Sequence, residues 1–144
     1  MAQTKTVYLG YGALVWVAGY VIVSSAIALG NKRSDEEMIA RHMEVAHGQR
    51  VAVTCAACHQ LGNGENGIGP SLMNVLGRPA GQYPGYEYSE AMKNSGIVWT
   101  SDRLRQFLRG PQKMVPGTRM GLSGLSGEDA DAIVNYLEKR NAPH

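Results

Sequence analysis

The residues with the clearest chemistry are two cysteines and the histidine that follows them. Cys55, Cys58 and His59 form the string CAACH, and the chain has no other cysteine. A C-x-x-C pair is typical of a thioredoxin-like redox site, of half a zinc site, or of the attachment point for a c-type haem. The sequence shows neither the βαβ setting of the first nor the two further ligands that the second requires. Haem attachment also explains His59, because two thiols three positions apart can bond both vinyl groups of one porphyrin while the imidazole ligates the iron.

A second axial ligand is expected among the seven methionines. A thioether is a soft ligand that suits haem iron and raises its reduction potential. Met114 and Met120 lie in one loop that is bounded by glycine and proline. A methionine in such a loop can be brought to the open face of a haem, so the residues by themselves leave both methionines as candidates.

The composition indicates one compact domain and excludes some functions. The 144 residues are 44% hydrophobic and 18% charged, which argues against a disordered chain. The net charge is only +2 and the aromatic content 7%, so the chain lacks the basic excess of a nucleic-acid-binding protein. We therefore expect no nucleic acid partner.

The first 30 residues are predicted to form a transmembrane anchor. Between Lys5 and Lys32 there are 26 residues without a charge. As a helix, residues 7–29 would be roughly 35 Å long, enough to cross a ~30 Å hydrocarbon core. The alternative is a secretory signal cleaved near residues 26–28, but the apolar run exceeds the usual ~7 to 15 residues of a signal core. Small residues recur every seven positions, at Gly12, Gly19 and Ala26, and could let a neighbouring helix approach closely. Glycine is common in membrane helices, so this stripe need not be a contact site.

The rest of the chain is predicted to be helical and rich in loops. Ser34 and Glu37 form a capping-box pattern that should start a helix, which Gly48 should end or interrupt. Residues 31–47 are thus expected to be a short helical tether, and residues 48–144 a separate domain. Further helices are predicted at residues 49–57, 89–94, 101–109 and 126–139, the last opened by Ser126 and Asp129. Such a small all-α scaffold needs a staple, and a covalent haem would supply one.

Two longer stretches downstream of CAACH resemble a known family. Residues 69–99, GPSLMNVLGRPAGQYPGYEYSEAMKNSGIVW, and residues 111–120, PQKMVPGTRM, resemble the class I cytochromes c of mitochondria and their bacterial relatives. The resemblance covers residues 48–137. Together with the apolar segment, the chain resembles the membrane-anchored respiratory cytochromes c of bacteria. The resemblance implies an all-α class I cytochrome c fold that binds one covalent haem c.

The resemblance also implies roles for individual residues. Cys55 and Cys58 would carry thioether bonds to the haem. His59 would be the proximal ligand of the iron, and Met120, rather than Met114, the distal one. The remaining positions are implied by the same motifs: the Pro70 carbonyl accepts the ring N–H of His59, Tyr88 and Trp99 bond the haem propionates, Arg78 offsets their charge, and the Thr118 hydroxyl lies beside the ligand methionine.

Some positions depart from the family pattern. Phe107 and Met92 stand where mitochondrial members often have a tyrosine and an asparagine on the methionine side of the haem. Ala52 stands where an aromatic residue usually precedes the first cysteine by three positions. The crossing of the first and last helices is expected at Gly48 and Tyr136, with packing altered by Ala52.

With both axial positions filled by protein, the iron has no open site for a small-molecule substrate and can only change valence. The resemblance therefore implies a tethered single-electron carrier between a quinol:cytochrome c reductase and a cytochrome c oxidase, or a supercomplex of them. The alternative is a fixed haem subunit of a membrane oxidoreductase whose catalytic centre lies on another chain. A more distant third is a gas-binding or peroxidatic haem protein, which requires an iron without its methionine.

The orientation in the membrane follows from haem attachment rather than from charge. Lys32, Arg33 and Arg41 follow the apolar run, and counting positive residues alone would place the C-terminal part in the cytoplasm. In the family, haem c is attached on the outer face of the bacterial cytoplasmic membrane. We therefore expect a single-pass protein with its haem domain in the periplasm.

A basic run is the candidate docking surface for an acidic partner. Residues 103–119 contain five cations and no acid, whereas three acids lie together at the start of the last predicted helix. Alternatively, the basic run is only a solvent-exposed face of the protein. The three acids are favourable at the start of a helix because the helix dipole places partial positive charge there. The cations are Arg103, Arg105, Arg109, Lys113 and Arg119, and the acids are Glu128, Asp129 and Asp131.

Overall fold

The structure, a computed structural model, describes the backbone of residues 11–141 and the side chains of residues 30–140. Within this part the chain forms five helices: α1 (Tyr11–Ala56), α2 (Glu90–Lys93), α3 (Ser101–Arg109), α4 (Pro111–Met114) and α5 (Gly127–Asn141). The only β pairing among the described residues is one isolated bridge between Pro79 and Val98. The predicted all-α class is confirmed.

Contacts divide the chain into two units, Met1–His42 and Met43–His144. Over the residues that the structure describes, no helix is both long and apolar enough to cross a membrane. Residues 1–10 and the side chains of residues 11–29, which make up most of the predicted anchor with its small-residue stripe, lie outside the described residues. The anchor and the domain boundaries after residues 30 and 47 therefore stay predictions.

The predicted start of a helix at Ser34 is wrong, because α1 is already helical from Tyr11. Ser34 lies inside α1, and its hydroxyl donates to the Gly30 carbonyl oxygen over 2.7 Å, a bond to the preceding turn. Adding a residue to an existing helix costs far less than nucleating a new one, so the capping signal does not start a helix here.

The predicted break at Gly48 is also wrong, because Gly48 serves a packing role inside α1. A Cβ atom at residue 48 would lie 2.7 Å from the Ala132 carbonyl oxygen and 2.8 Å from the Tyr136 Cβ atom, both in α5. Only glycine lets the two helices approach this closely. The predicted crossing at Gly48 and Tyr136 is confirmed, and Ala52, one turn further along α1, is buried in the core.

The predicted helices after the loop region are confirmed with small shifts of their ends. Thr100 caps α3, its hydroxyl accepting from the Arg103 N–H over 3.2 Å. Ser126 precedes α5, and its hydroxyl accepts from the Asp129 N–H over 3.0 Å while donating to the Asp129 carboxylate over 2.8 Å. The apolar faces of α3 and α5 supply most of the core, with these buried residues: Leu104, Phe107, Leu108, Ala130, Ile133, Val134 and Leu137.

Candidate functional site

A cavity of about 700 Å³ lies in the second unit. The end of α1, the loops on either side of α2, and helices α3 and α5 all contribute side chains to its wall. Every residue that the sequence singled out for a cofactor lines this one cavity: Cys55, Cys58, His59, Pro70, Arg78, Tyr88, Trp99, Thr118 and Met120. The fold thus brings together positions that are up to 65 residues apart in the chain.

The two cysteines lie at the end of α1. The helix ends at Ala56, and the N–H groups of Cys58 and His59 both donate to the Cys55 carbonyl oxygen, over 3.1 and 2.9 Å. This turn places both cysteines and the histidine along one side of the cavity. Cys55 is half-buried and Cys58 exposed. Burial raises the pKa of the Cys55 thiol.

The imidazole of His59 is held in one tautomer. Its Nδ1 atom lies 2.7 Å from the Pro70 carbonyl oxygen. Because a carbonyl can only accept, Nδ1 carries the proton of the neutral imidazole, and the lone pair of that tautomer lies on Nε2. A hydrogen bond of this kind is what orients a metal-ligating histidine and increases its donor strength.

A glycine next to this hydrogen bond makes room for the ring. A Cβ atom at Gly69 would lie 2.7 Å from Nδ1 of His59. The Gly69 N–H donates to the Cys58 carbonyl oxygen over 2.8 Å, so the loop is bonded directly to the end of the cysteine turn. The Gly69-Pro70 pair therefore supports the imidazole by shape as well as by hydrogen bonding.

The two candidate methionines lie in different surroundings. Both pack against the hydrophobic core, but Met120 lines the cavity, whereas Met114 lies in α4 and does not. The Met120 N–H donates to the Thr118 hydroxyl over 3.4 Å, and the Thr118 carbonyl accepts from the Gln112 side chain over 2.7 Å. The structure therefore presents Met120, and not Met114, to the cavity.

Arg78 places a positive charge in the cavity wall. Its guanidinium donates to the carbonyl oxygens of Ser71, over 2.7 Å, and Met73, over 3.3 Å, and its Cζ atom lies 4.3 Å from the Tyr83 ring centroid. Burial lowers the pKa of Arg78, but a guanidinium stays charged at neutral pH. Burial raises the pKa of Tyr88, whose phenol is therefore a neutral hydrogen-bond donor.

The donor set fits a c-type haem. One turn of chain supplies two thiols and an imidazole with a free Nε2, and a separate loop supplies a thioether. The wall is largely apolar and includes the buried Trp99 ring, whose centroid lies 5.0 Å from that of Phe107. Phe107 and Met92, two of the three departures from the family pattern, both line the cavity and give it apolar surface.

Some lining residues had no role assigned from the sequence. Tyr86 lines the cavity and packs edge-to-face on Tyr88, with 4.8 Å between ring centroids. The two tyrosines are two positions apart in the sequence, and this spacing was the available signal that Tyr86 also belongs to the site. Arg50 and Ile68 also line the cavity. The short helix α4 was not predicted either, although Gly110 followed by Pro111 is a common way to begin a helix.

The predicted basic docking surface stays a prediction, and two of its cations have acidic partners in the structure. Arg105 and Arg109 each lie 3.3 Å from the carboxylate of Asp131, because α3 packs against α5 and brings the cations of one helix to the acids of the other. Of the five cations in the run, only Arg119 lines the cavity. His47 bonds Asp129 over 2.8 Å, and this hydrogen bond is the main reason that the pKa of Asp129 is lowered.

Comparison with known proteins identifies the same architecture. The family model for cytochrome c matches residues 45–141. Cytochrome c2 of Rhodoblastus acidophilus is 48% identical over 97 residues, which are 66% of this chain and 91% of the relative. Cytochrome c2 of Rhodopila globiformis is 51% identical over 85 residues, 58% of this chain and 80% of the relative. The solved structure of cytochrome cH from Methylobacterium extorquens matches with a TM-score of 0.62 and 39% identity, covering 66% of this chain and 97% of that one.

Proposed function

We propose that this chain, which belongs to the cytochrome c family, passes single electrons from a quinol:cytochrome c reductase to a cytochrome c oxidase while tethered to the bacterial cytoplasmic membrane. Proteins of the family bind one covalent c-type haem, and Cys55 and Cys58 fit its attachment motif. They transfer electrons and are not enzymes. The partners, the tether and the location are the proposed part.

The haem supplies, when bound, an iron that changes valence by one electron. Cys55 and Cys58 would hold the group covalently, and His59, through Nε2, and Met120 would bind its iron. With these ligands supplied by the protein, no place would be left for dioxygen or a substrate, and a change of valence would be the only reaction available.

The observation that supports this function best is that His59 and Met120 line one cavity. The 2.7 Å bond to Pro70 directs the lone pair of His59 to Nε2, and Thr118 bonds the backbone of Met120. The charged Arg78 and the neutral phenol of Tyr88, in the same wall, suit the two propionates. These residues would hold the haem and set its potential without taking part in a reaction.

The tether and the location rest on the sequence. The 26 uncharged residues between Lys5 and Lys32 are long enough to cross a bilayer. Covalent haem attachment outside the cytoplasm would place the haem domain in the periplasm. About 17 residues separate the apolar run from the haem domain and reach at most roughly 60 Å when extended, so a tethered domain would serve partners in the same membrane.

Membranes of the source organism test this proposal. The full chain should remain in the membrane after washes with high salt and with alkaline carbonate. Added quinol should reduce its haem through the reductase, and the oxidase should then reoxidise it. Release by the washes would contradict the tether. Equal stoichiometry with a single complex, resistant to salt, would favour the fixed-subunit alternative.

A further inference from the structure

The loop after His59 contains two asparagine-glycine pairs within five residues, Asn63-Gly64 and Asn66-Gly67. Asparagine loses its side-chain amide most readily before glycine. The backbone nitrogen of the next residue can attack the side-chain carbonyl carbon, and glycine has no side chain to obstruct the approach. The two pairs consist of the same residues but make different hydrogen bonds, so the fold decides which of them reacts.

The side chain of Asn63 is exposed and bonded back to its own segment of chain. The Glu65 N–H donates to the Asn63 Oδ1 atom over 3.2 Å, and the Asn63 Nδ2 atom donates to the Glu65 carboxylate over 2.9 Å. A bond from an asparagine side-chain oxygen to the N–H two residues on is an Asx turn. It closes a ring of atoms that contains both the side-chain carbonyl carbon and the Gly64 nitrogen.

The same hydrogen bond favours attack on the Asn63 side chain. When a nucleophile adds to the carbonyl carbon, negative charge develops on Oδ1. The Glu65 N–H is already bonded to this oxygen, so a donor lies where the charge appears. The nucleophile is the Gly64 nitrogen, whose N–H donates to no acceptor among the described residues. Asn63 therefore combines an available nucleophile with a stabilised oxyanion.

The side chain of Asn66 is held by other segments of the chain. Its Oδ1 atom accepts from the Ser71 N–H over 3.1 Å, and its Nδ2 atom donates to the Pro84 carbonyl oxygen over 2.9 Å. The Gly67 N–H, which would be the nucleophile here, already donates to the Gly69 carbonyl oxygen over 2.9 Å. Reaction at Asn66 has to break these bonds first.

We infer that Asn63 is a site of spontaneous deamidation and that Asn66, in the same loop, is protected from it. The Gly64 nitrogen gives its proton to hydroxide and forms a bond to the Asn63 side-chain carbonyl carbon. The bond from this carbon to Nδ2 then breaks, and the amide leaves as ammonia with a proton from water. Water opens the resulting succinimide at one of its two carbonyl groups, which gives aspartate or isoaspartate.

The reaction changes both the charge and the backbone of the loop. A carboxylate replaces the amide, and the isoaspartate form adds one atom to the chain before Gly64. The Gly64 carbonyl oxygen accepts from the Tyr83 hydroxyl over 2.7 Å, and the Tyr83 ring centroid lies 4.3 Å from the Arg78 Cζ atom. The modified bond thus lies two contacts away from a cation in the wall of the haem-binding cavity.

The test is mass spectrometry of peptides from the full-length holoprotein after it has aged at physiological temperature in mildly alkaline buffer. A glutamyl endopeptidase cuts after Glu65 and so places the two asparagines in different peptides. Asn63 should be converted about tenfold faster than Asn66, because the need to break hydrogen bonds lowers the population of a reactive conformation by about this factor. In urea, which removes the fold, the two rates should become similar.

Two variants identify the modified residue independently. Isoaspartyl methyltransferase should transfer methyl groups to the aged wild-type protein. Asn63→Gln, whose longer side chain does not form the five-membered ring, should lose most of this label, whereas the matched control Asn66→Gln should keep it. The inference is overturned if Asn63 stays intact in the folded protein, if Asn66 reacts as fast as Asn63, or if the label persists in Asn63→Gln.

Discussion

The Nδ1 atom of His59 donates a hydrogen bond to the Pro70 carbonyl oxygen over 2.7 Å, and this contact determines which nitrogen of the imidazole can bind a metal. The Nε2 atom remains available to bind a metal. Gly69 makes the contact possible, since any side chain there would meet the ring. The short segment from Gly69 to Pro70 therefore prepares the proximal side of the haem site by both shape and hydrogen bonding.

The assignment of the distal ligand predicts different behaviour for two methionine variants. Met120→Ala should remove the methionine-to-iron charge-transfer band and lower the midpoint potential by on the order of 0.1–0.3 V, within the ~0.8 V range that axial ligands cover. Met114→Ala should keep the band, because Met114 packs against the core and not in the cavity. Visible spectra with a potentiometric titration distinguish the two. Loss of the band in Met114→Ala alone would refute the assignment.

The close crossing of α1 and α5 predicts that a single methyl group is destabilising at Gly48. Gly48→Ala should lower the free energy of unfolding by about 1–3 kcal/mol, because the new Cβ meets the Ala132 carbonyl at 2.7 Å and the helices must separate. Gly30→Ala is the control: it lies in the same helix with nothing within 4 Å, so it should cost nothing. Urea denaturation measures both, and equal stability of the two variants would argue against the crossing.

The hydrogen bond between His47 and Asp129 predicts a specific loss of stability in acid. It lowers the pKa of Asp129 below the ordinary value of 3.8, so the folded state binds this proton less readily than the unfolded state. The resulting stabilisation is present above about pH 4 and disappears as the pH falls through the folded pKa. The difference in unfolding free energy between wild type and Asp129→Asn should therefore shrink from pH 6 to pH 3.

A control for the acid effect is Asp35→Asn, which removes the same charge from an exposed site in the first unit. The change in its difference from wild type over that pH range is the reference for the change seen with Asp129→Asn. An equal change for Asp129→Asn would mean that the bond to His47 does not contribute to stability.

The position of Arg119 in the cavity wall predicts that its charge attracts the redox partner. Arg119→Glu should slow electron transfer to the oxidase severalfold at low ionic strength and flatten its salt dependence, since screening shortens to ~8 Å near physiological salt. The control is Lys139→Glu, which makes the same change of net charge. Lys139 does not line the cavity; it lines a different groove together with Glu44. Stopped-flow rates over a range of salt should separate the variants, and identical curves would show that net charge alone matters.

The local motifs of this chain could be interpreted without a structure. CAACH is a short motif whose residues must be adjacent to act, so its chemistry is visible in the sequence. The cap at Ser126 was likewise predictable, because capping involves residues three positions apart. Even the distant partners of the site, such as Pro70 and Met120, were recognisable from their surrounding motifs.

The features that were not predicted depend on residues outside the local motif. The capping pattern at Ser34 expresses a local preference, and the helix that already exists upstream overrides it. The run from Arg103 to Arg119 looked like one basic face because Asp131, which pairs with two of its arginines, belongs to another helix. The position of Ile68 in the cavity wall was not predicted, because a single isoleucine between two glycines has no periodicity from which its surroundings could be inferred.

The most direct test of the central claim is a spectroelectrochemical titration of the full-length holoprotein, with and without carbon monoxide. We expect a single haem that titrates with one electron, keeps its methionine-ligated spectrum when oxidised, and does not bind carbon monoxide when reduced, because the proposed ligands His59 and Met120 would leave the iron no open position. Carbon monoxide binding by the reduced wild-type protein would show an open iron and would contradict the assignment as an electron carrier.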